Sequence, residues 1–266
     1  MRSPATPSTV LAPGAGALDR GLAMLDHLGV VGTCTTQDLA AALGLSRSTA
    51  YRLVDRLVEQ GWLAQEPRSG LLRLGPSAAR LASAAIRSTG LNEQAVPVLT
   101  RLMRQTQETA SLAVPNGATM VFVHRERGPR PVAVTGELGV ARPLHSTSLG
   151  RSYLAGLSQT RLEEKLAELV ASADSPVDAD SVGSLRSVVE ATRERGWAED
   201  RREFDESSCC CGAAVYDHTG MPVAAISVAG VAERMEGVLD EVGPLVAQAA
   251  AEISAALGYV DRGAAG

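Results

Sequence analysis

The sequence predicts an α+β protein: an N-terminal winged helix-turn-helix domain, a linker helix, and a C-terminal domain built on an antiparallel sheet. Three observations carry that reading. Thr35–Gly61 (TTQDLAAALGLSRSTAYRLVDRLVEQG) reads as two short helices around a tight turn. Leu63–Leu74 (LAQEPRSGLLRL) has the shape of a β-hairpin with Pro-Arg-Ser-Gly at its tip. Beyond residue 90, helical patterns alternate with apolar runs punctuated by turn residues, as in an α+β domain. At 266 residues the chain has room for two domains. The expected boundaries are 1–15 for a disordered tail, 16–75 for the winged domain, 76–90 for the linker and 91–262 for the C-terminal domain.

The tail, MRSPATPSTVLAPGAG, is rich in Pro, Ser, Thr and Gly and lacks the apolar core of a signal peptide. No run of about eighteen apolar residues occurs, so no membrane span is expected. The expected compartment is the cytoplasm. Leu18–Leu28 is a first helix, with Leu18, Leu22, Leu25 and Leu28 expected on one face.

Within the helix-turn-helix, Leu39, Ala42 and Leu43 fall at i, i+3 and i+4, and Thr35 or Thr36 is a candidate N-cap. Gly44 is expected to end the helix, because the position after a helix end often needs positive φ. Leu45 plugs the turn and Ser46 is a candidate N-cap for the second helix. Ala50, Leu53, Val54 and Leu57 then form one apolar stripe. The opposite face carries Arg47, Ser48, Thr49, Tyr51, Arg52, Asp55 and Arg56. Such a helix can place its N-terminal residues against base edges and its flanks against phosphates. The candidate DNA contacts are Ser46, Arg47, Ser48, Thr49, Tyr51, Arg52 and Arg56, with Arg68 from the hairpin. The alternative is an ordinary amphipathic helical pair with a solvated outer face. The hairpin that follows argues for a wing, and Arg68 and Arg73 lie on or beside it.

Charge distribution agrees. The chain is net −5, but residues 1–90 hold nine Arg against six acidic residues, net +3, and the remainder is net −8. A mildly basic module on an acidic body fits a DNA-binding domain joined to a domain of another role. The small excess predicts that several modules act together in an oligomer.

Pro76 opens the linker helix, a tolerated first-turn position. Leu91–Glu108 is helical, with Pro97 marking a start or a kink. Strands are expected at Ala110–Val114, Met120–His124 and Val132–Thr135, with a turn at Pro115–Gly117. Leu149–Leu157, Arg161–Val170 and Val182–Arg195 read as helices, with a polar loop at Asp174–Asp180. Cys210–Tyr216 and Val223–Val228 form a hairpin around Asp-His-Thr-Gly, and Val238–Leu257 is a terminal helix. Aromatics are 3% of the chain, so the cores must be aliphatic.

Cysteines occur at Cys34 and in the run Cys209-Cys210-Cys211. There is no CxxC pair, so no zinc ribbon or finger is implied, and no cofactor is expected. In a strand the three would alternate between faces. A thiol-based redox switch in this run is the alternative mode of control. An enzyme using Cys210 or Ser148 with His145 is not expected, since no GxSxG or paired acid and base stands out.

Residues 17–75 resemble the winged-helix domain of the IclR family of bacterial transcriptional regulators. RPLHSTSLGRSYLAGL (142–157), GWAEDRREFDESSCCCGAAVYDHTG (196–220) and VAAISVAG (223–230) resemble that family's C-terminal effector domain, in its order and spacing. The resemblance implies a GAF-like domain that binds a small organic or aromatic acid. It further implies a palindromic double-stranded operator and homodimers or homotetramers. Carried over residue by residue, the effector contacts are Ser148 and Leu149, Asp200, Cys210 and Ser227. Ser148 and Leu149 would lie at a helix N-terminus, where free N–H groups favour a carboxylate. Two departures stand out. Ala229 replaces the second serine of the SxSG pattern, and Ser207 replaces a glycine before the cysteines. The lost hydroxyl suggests an effector less polar than glyoxylate or pyruvate.

Overall fold

The computed structural model describes residues 15–81, 90–134, 137–172, 177–178 and 180–260. The chain divides into two compact units, 1–88 and 89–266.

The N-terminal unit contains α1 (Ala17–Val31), α2 (Thr36–Ala42), α3 (Arg47–Glu59) and the hairpin β1 (Leu63–Gln65) and β2 (Leu72–Leu74). Thr35 caps α2 by accepting from the Asp38 amide at 3.1 Å, and Asp38 returns the bond to the Thr35 amide. Gly44 sits at φ 64°, as the stop between α2 and α3 requires. Ala50 and Val54 of α3 are buried with Leu39, Ala40, Leu43, Leu63 and Leu72 in one core. Two expected stripes shift. In α1 the buried residues are Ala23, Met24 and Leu28, while Leu18 and Leu22 are exposed. In α2 Ala40 takes the inward place expected of Ala42. Which stripe is buried is set by the neighbours each helix packs against, and not by the leucine spacing alone. Cys34 forms a short bridge to Leu72, which adds a third edge to the wing. Residues 76–81 are helical, and the rest of the expected linker lies outside the described residues.

The C-terminal unit runs α4 (Leu91–Thr106), β3 (Thr109–Asn116), β4 (Thr119–Glu126), β5 (Ala141–Pro143), α5 (Ser148–Gly156), α6 (Gln159–Ala171), α7 (Ser181–Arg195), β6 (Ala198–Arg201), β7 (Ser208–Tyr216), β8 (Pro222–Val231), α8 (Ala232–Met235) and α9 (Leu239–Ala256). Its sheet is antiparallel throughout, in the order β5-β4-β3-β8-β7-β6. Period-two alternation assigns the two faces. Ala110, Leu112, Cys209, Cys211, Ala213, Ile226 and Val228 face α4 and α9 in the larger core. On the other face Ala113 and Ala225 pack with residues of α5, α6 and α7 in a second core. β8 is covered on both sides, which explains its nearly unbroken run of small and aliphatic residues.

Three strand expectations change. Residues 132–134 form no strand, and Thr135 lies outside the described residues. Pro129 and Pro131 lack the N–H a ladder needs, and Val132 is exposed. The edge is instead β5, three residues paired to β4. The hairpin loop of β3 and β4 is Gly117-Ala118, since Asn116 already pairs with Thr119. β6 escaped the sequence reading because an Ala-Glu-Asp-Arg edge strand has no apolar run to reveal it. Among the described residues no helix is long and apolar enough to cross a membrane.

Candidate effector pocket and DNA-contact face

The outer face of α3 begins at its cap. Ser46 accepts from the Thr49 amide at 3.3 Å, and its hydroxyl bonds to that of Thr49 at 2.9 Å and meets that of Ser48 at 3.3 Å. Arg47, Ser48, Tyr51, Arg52 and Arg56 are exposed and Thr49 is half-buried. Arg56 pairs with Glu59 at 2.9 Å along the exposed flank. Arg68 is exposed at the wing tip, where Gln65 donates to the Gly70 carbonyl at 3.1 Å. The helix therefore presents two guanidiniums, Arg47 and Arg52, with no carboxylate within 4 Å among the described residues. Hydroxyls stand beside them. Such a surface is suited to phosphates and base edges.

In the C-terminal unit, α5 begins at Ser148 with Thr147 as its N-cap, accepting from the Gly150 amide at 3.2 Å. That leaves Ser148 and Leu149 in the first turn, where amides have no intrahelical partner. The helix start lies against β7 because Gly212 has no side chain. A Cβ there would meet the Ser148 carbonyl oxygen at 2.7 Å. Ser148 and Leu149 line a cavity of about 80 Å³ on the sheet face opposite the larger core.

All five effector residues expected from the sequence line that cavity: Ser148, Leu149, Asp200, Cys210 and Ser227. Strand register explains the convergence. Asp200 pairs with Cys210, Cys210 with Ala229, and Ser111 with Ser227, so their side chains share one face. Ser148, Leu149, Asp200 and Ser227 are almost fully buried. Asp200 does not pair with Arg201 or Arg202, whose partners are Glu199 and Glu236. Its Oδ1 accepts from the Glu203 and Phe204 amides at 2.9 and 3.3 Å. Burial raises its pKa, and those two amides oppose the shift.

Arg151 buttresses this wall. It donates to the His145 carbonyl at 2.9 Å and the Glu199 carbonyl at 3.1 Å, and it forks onto the Glu203 carboxylate. His145 thus acts through its backbone, and burial holds its imidazole pKa below the usual value.

The cysteine run divides as alternation requires. Cys210 faces the cavity, while Cys209 and Cys211 are fully buried in the opposite core. Burial pushes all three thiols up, Cys211 to about 12. The thiolate that exchange chemistry needs is therefore disfavoured at each.

Four residues the sequence reading missed dominate the rest of the wall: Phe122, Arg125, Arg142 and Phe204. Arg125 lies over the Phe122 ring at 4.2 Å from its centroid, and Arg142 lies 4.9 Å from Phe204 and 5.6 Å from Phe122. The Ser111 hydroxyl accepts from Arg125 Nε at 3.1 Å. Burial, and then the charge of Arg142, bring Arg125 down to about 10. Burial lowers Arg142 too, while the charge of Asp205 opposes that shift. The chain has only two phenylalanines, and both stand here beside arginines. That rarity was the one available signal. Ala229 lines the cavity, in the same wall as the two guanidiniums.

The comparisons agree with this architecture. The IclR helix-turn-helix domain matches residues 17–67, and the bacterial transcriptional regulator IclR C-terminal domain matches residues 83–255. The HTH-type transcriptional repressor AllR of Escherichia coli (strain K12) is 30% identical over 257 residues, covering 96% of this chain and 95% of its own. The HTH-type transcriptional regulator BhcR of Paracoccus denitrificans is 31% identical over 242 residues, covering 91% and 87%. Among solved structures, the Thermotoga maritima IclR superposes with a TM-score of 0.68 at 27% identity, covering 91% of this chain and 98% of that one. An IclR homologue from Microbacterium hydrocarbonoxydans, complexed with 4-hydroxybenzoate, shares the fold with a TM-score of 0.75 at 23% identity, covering 91% and 99%. These relatives are transcription regulators and not enzymes. With its helix-turn-helix, its antiparallel sheet domain and matches spanning most of its length, the chain belongs to the IclR family of bacterial transcriptional regulators.

Proposed function

We propose that this regulator binds a small organic acid in the cavity over β3, β8 and β7, and that occupancy changes its affinity for a palindromic operator. One observation carries the reading. Residues nominated from three separated segments, Ser148–Leu149, Asp200–Cys210 and Ser227, line a single cavity. The first-turn amides of α5 favour an anion. Cys210 and Ser227 supply a polarizable contact and a hydroxyl. Asp200, with its pKa raised, is suited to a ligand hydroxyl or a shared proton.

The cavity, about 80 Å³, suits a small acid. On the DNA side, Arg47 and Arg52 read base edges while Ser46, Ser48, Thr49, Tyr51, Arg56 and Arg68 position the backbone. The N-terminal excess of three positive charges is small, so a dimer or tetramer is what makes the contact strong.

The test is a gel-shift titration on duplexes selected from a random pool by the full-length protein, with and without short acids. An effector should change operator affinity by about 5- to 150-fold, the usual range of allosteric coupling. Asp200→Ala and Ser227→Val should bind the same duplexes and lose the response. If no acid alters either operator affinity or melting temperature, the pocket is not an effector site.

A further inference from the structure

A second and larger cavity, of about 470 Å³, lies within the C-terminal unit. The first turn of α5 lines the smaller cavity, whereas Ser152 and Ala155, further along the same helix, line this one. No lining residue is common to the two. The cavity exists because a strand is short and its neighbours are small. β6 pairs with residues 209–212 only, so beyond Gly212 no strand covers the outer edge of β7 among the described residues. Ala247, Ala250, Ala251 and Ala255 of α9 line the space, and β7 adds Ala213 and Ala214. Side chains of this size leave a void between α5, α7, β7 and α9. Its volume falls within the usual range of small-molecule sites, roughly 300–1,000 Å³.

One side chain points to an occupant. Ser152 is 2% exposed and lines the cavity, and its hydroxyl has no hydrogen-bond partner among the described residues. A buried hydroxyl left unpaired costs stability and is uncommon in native structures. The other serine and threonine hydroxyls of the wall are paired. Thr192 donates to the Val188 carbonyl at 2.8 Å, and Ser254 to the Ala250 carbonyl at 2.7 Å. A ligand oxygen beside Ser152 would supply the missing partner.

The rest of the wall sets the ligand class. Arg193 is the one charged lining residue among those described. It is exposed, and its guanidinium bonds to the Ala155 and Leu157 carbonyls, each at 3.0 Å. A carboxylate at Ser152 would sit among alanines and lose its hydration, so an uncharged group is favoured there. Tyr216 and Tyr259 also line the cavity, stacked with ring centroids 5.0 Å apart and planes at 24°. Their faces suit packing against a flat ring.

We propose that this cavity is a second small-molecule site, which takes an uncharged hydroxy-aromatic compound. The ligand's hydroxyl bonds to Ser152, and its ring packs among the alanines and the tyrosine pair. The proposal does not depend on the effector reading of the smaller cavity.

Phenol and toluene, of nearly equal size, are the probes, titrated into the full-length protein and followed by saturation-transfer NMR. Phenol should bind. Ser152→Ala should shift the phenol-to-toluene affinity ratio towards toluene by about three- to tenfold, the worth of one neutral hydrogen bond. Without ligand, the same variant should melt no lower than the wild type, since no partner is lost. Ala251→Phe, at an exposed lining position, should fill the cavity and abolish phenol binding. Ala255→Phe repeats that test one turn along α9, and melting temperatures confirm that each variant folds. Four results overturn the proposal: no phenol binding by the wild type, an unchanged ratio in Ser152→Ala, a lowered melting temperature in that variant, or phenol binding that survives in both filled variants.

Discussion

The outer face of α3 and the wall of the sheet cavity both present arginines and hydroxyls, but they are built in opposite ways. On α3 the polar residues are exposed and come from one continuous segment of thirteen residues. In the cavity they are mostly buried and come from β3, β4, β5, α5, β6, β7, β8 and the loop after β6. The difference has an energetic consequence. An exposed guanidinium keeps its hydration until it meets phosphate, so it costs little in the free protein. A half-buried one must be held by rings and hydroxyls, as Arg125 is by Phe122 and Ser111. The first surface suits a large, wet, charged partner. The second suits a small anion that replaces lost water.

Substitutions can sharpen this contrast. The largest effect is expected on α3. Replacing Arg47 and Arg52 together by alanine removes two base or phosphate contacts per module, each worth about 1–3 kcal/mol. Operator affinity should fall by at least about a hundredfold, with oligomeric state and acid binding unchanged. Gel shift, sedimentation and calorimetry on one preparation decide it, and unaltered operator affinity would remove α3 from the DNA interface.

Next in size is Arg151→Ala. It strips partners from two backbone carbonyls and from Glu203, and should lower unfolding free energy by about 2–4 kcal/mol. Urea denaturation measures it. A loss below about 0.5 kcal/mol, the scale of ordinary surface changes, would mean that the buttress is dispensable.

Ser46→Ala comes third. Losing the cap of α3 should cost about 1 kcal/mol, and Ser46→Gly only a few tenths. If Ser46 also touches DNA, both variants should weaken operator binding beyond their stability loss. If it only caps, the glycine variant should bind as the wild type does.

The smallest effect is a trend with pH. Because the Asp200 pKa is raised in the folded state, folding takes up a proton there between the ordinary carboxylate pKa and the raised one. Its ionisation therefore removes stability as pH rises through that window. Asp200→Asn keeps an acceptor for the Glu203 and Phe204 amides and carries no charge. Its melting temperature relative to wild type should climb from acid to neutral pH. A difference that falls over the same range contradicts buried strain at Asp200.

Legibility followed the same divide. Ala50, Leu53, Val54 and Leu57 mark one side of α3 at helical spacing, so the opposite side could be read directly from the chain. Ser148, Leu149, Asp200, Cys210 and Ser227 were legible through family resemblance, because each sits in a recognisable motif. Phe122, Arg125, Arg142 and Phe204 were not. Arg142 is in a three-residue edge strand ending in proline, and Phe204 is in a loop. Neither setting carries a periodic signal. The inward faces of α1 and α2 were misjudged for a related reason, since helical spacing shows which residues can align and not which alignment the neighbours cover.

By itself the sequence determined what short-range physics determines: the helices with their caps at Thr35 and Ser46, the stop at Gly44, the wing, and the alternation that sends Cys210 one way and Cys209 and Cys211 the other. Tertiary structure decided which distant faces met. It brought Ser111 beside Ser227, Asp200 beside Cys210, and the start of α5 against Gly212. It alone placed two arginines over the chain's only two phenylalanines. The reason is physical. Helix and strand periods are properties of a few consecutive residues, whereas a cavity is defined by strand register and helix docking across more than a hundred.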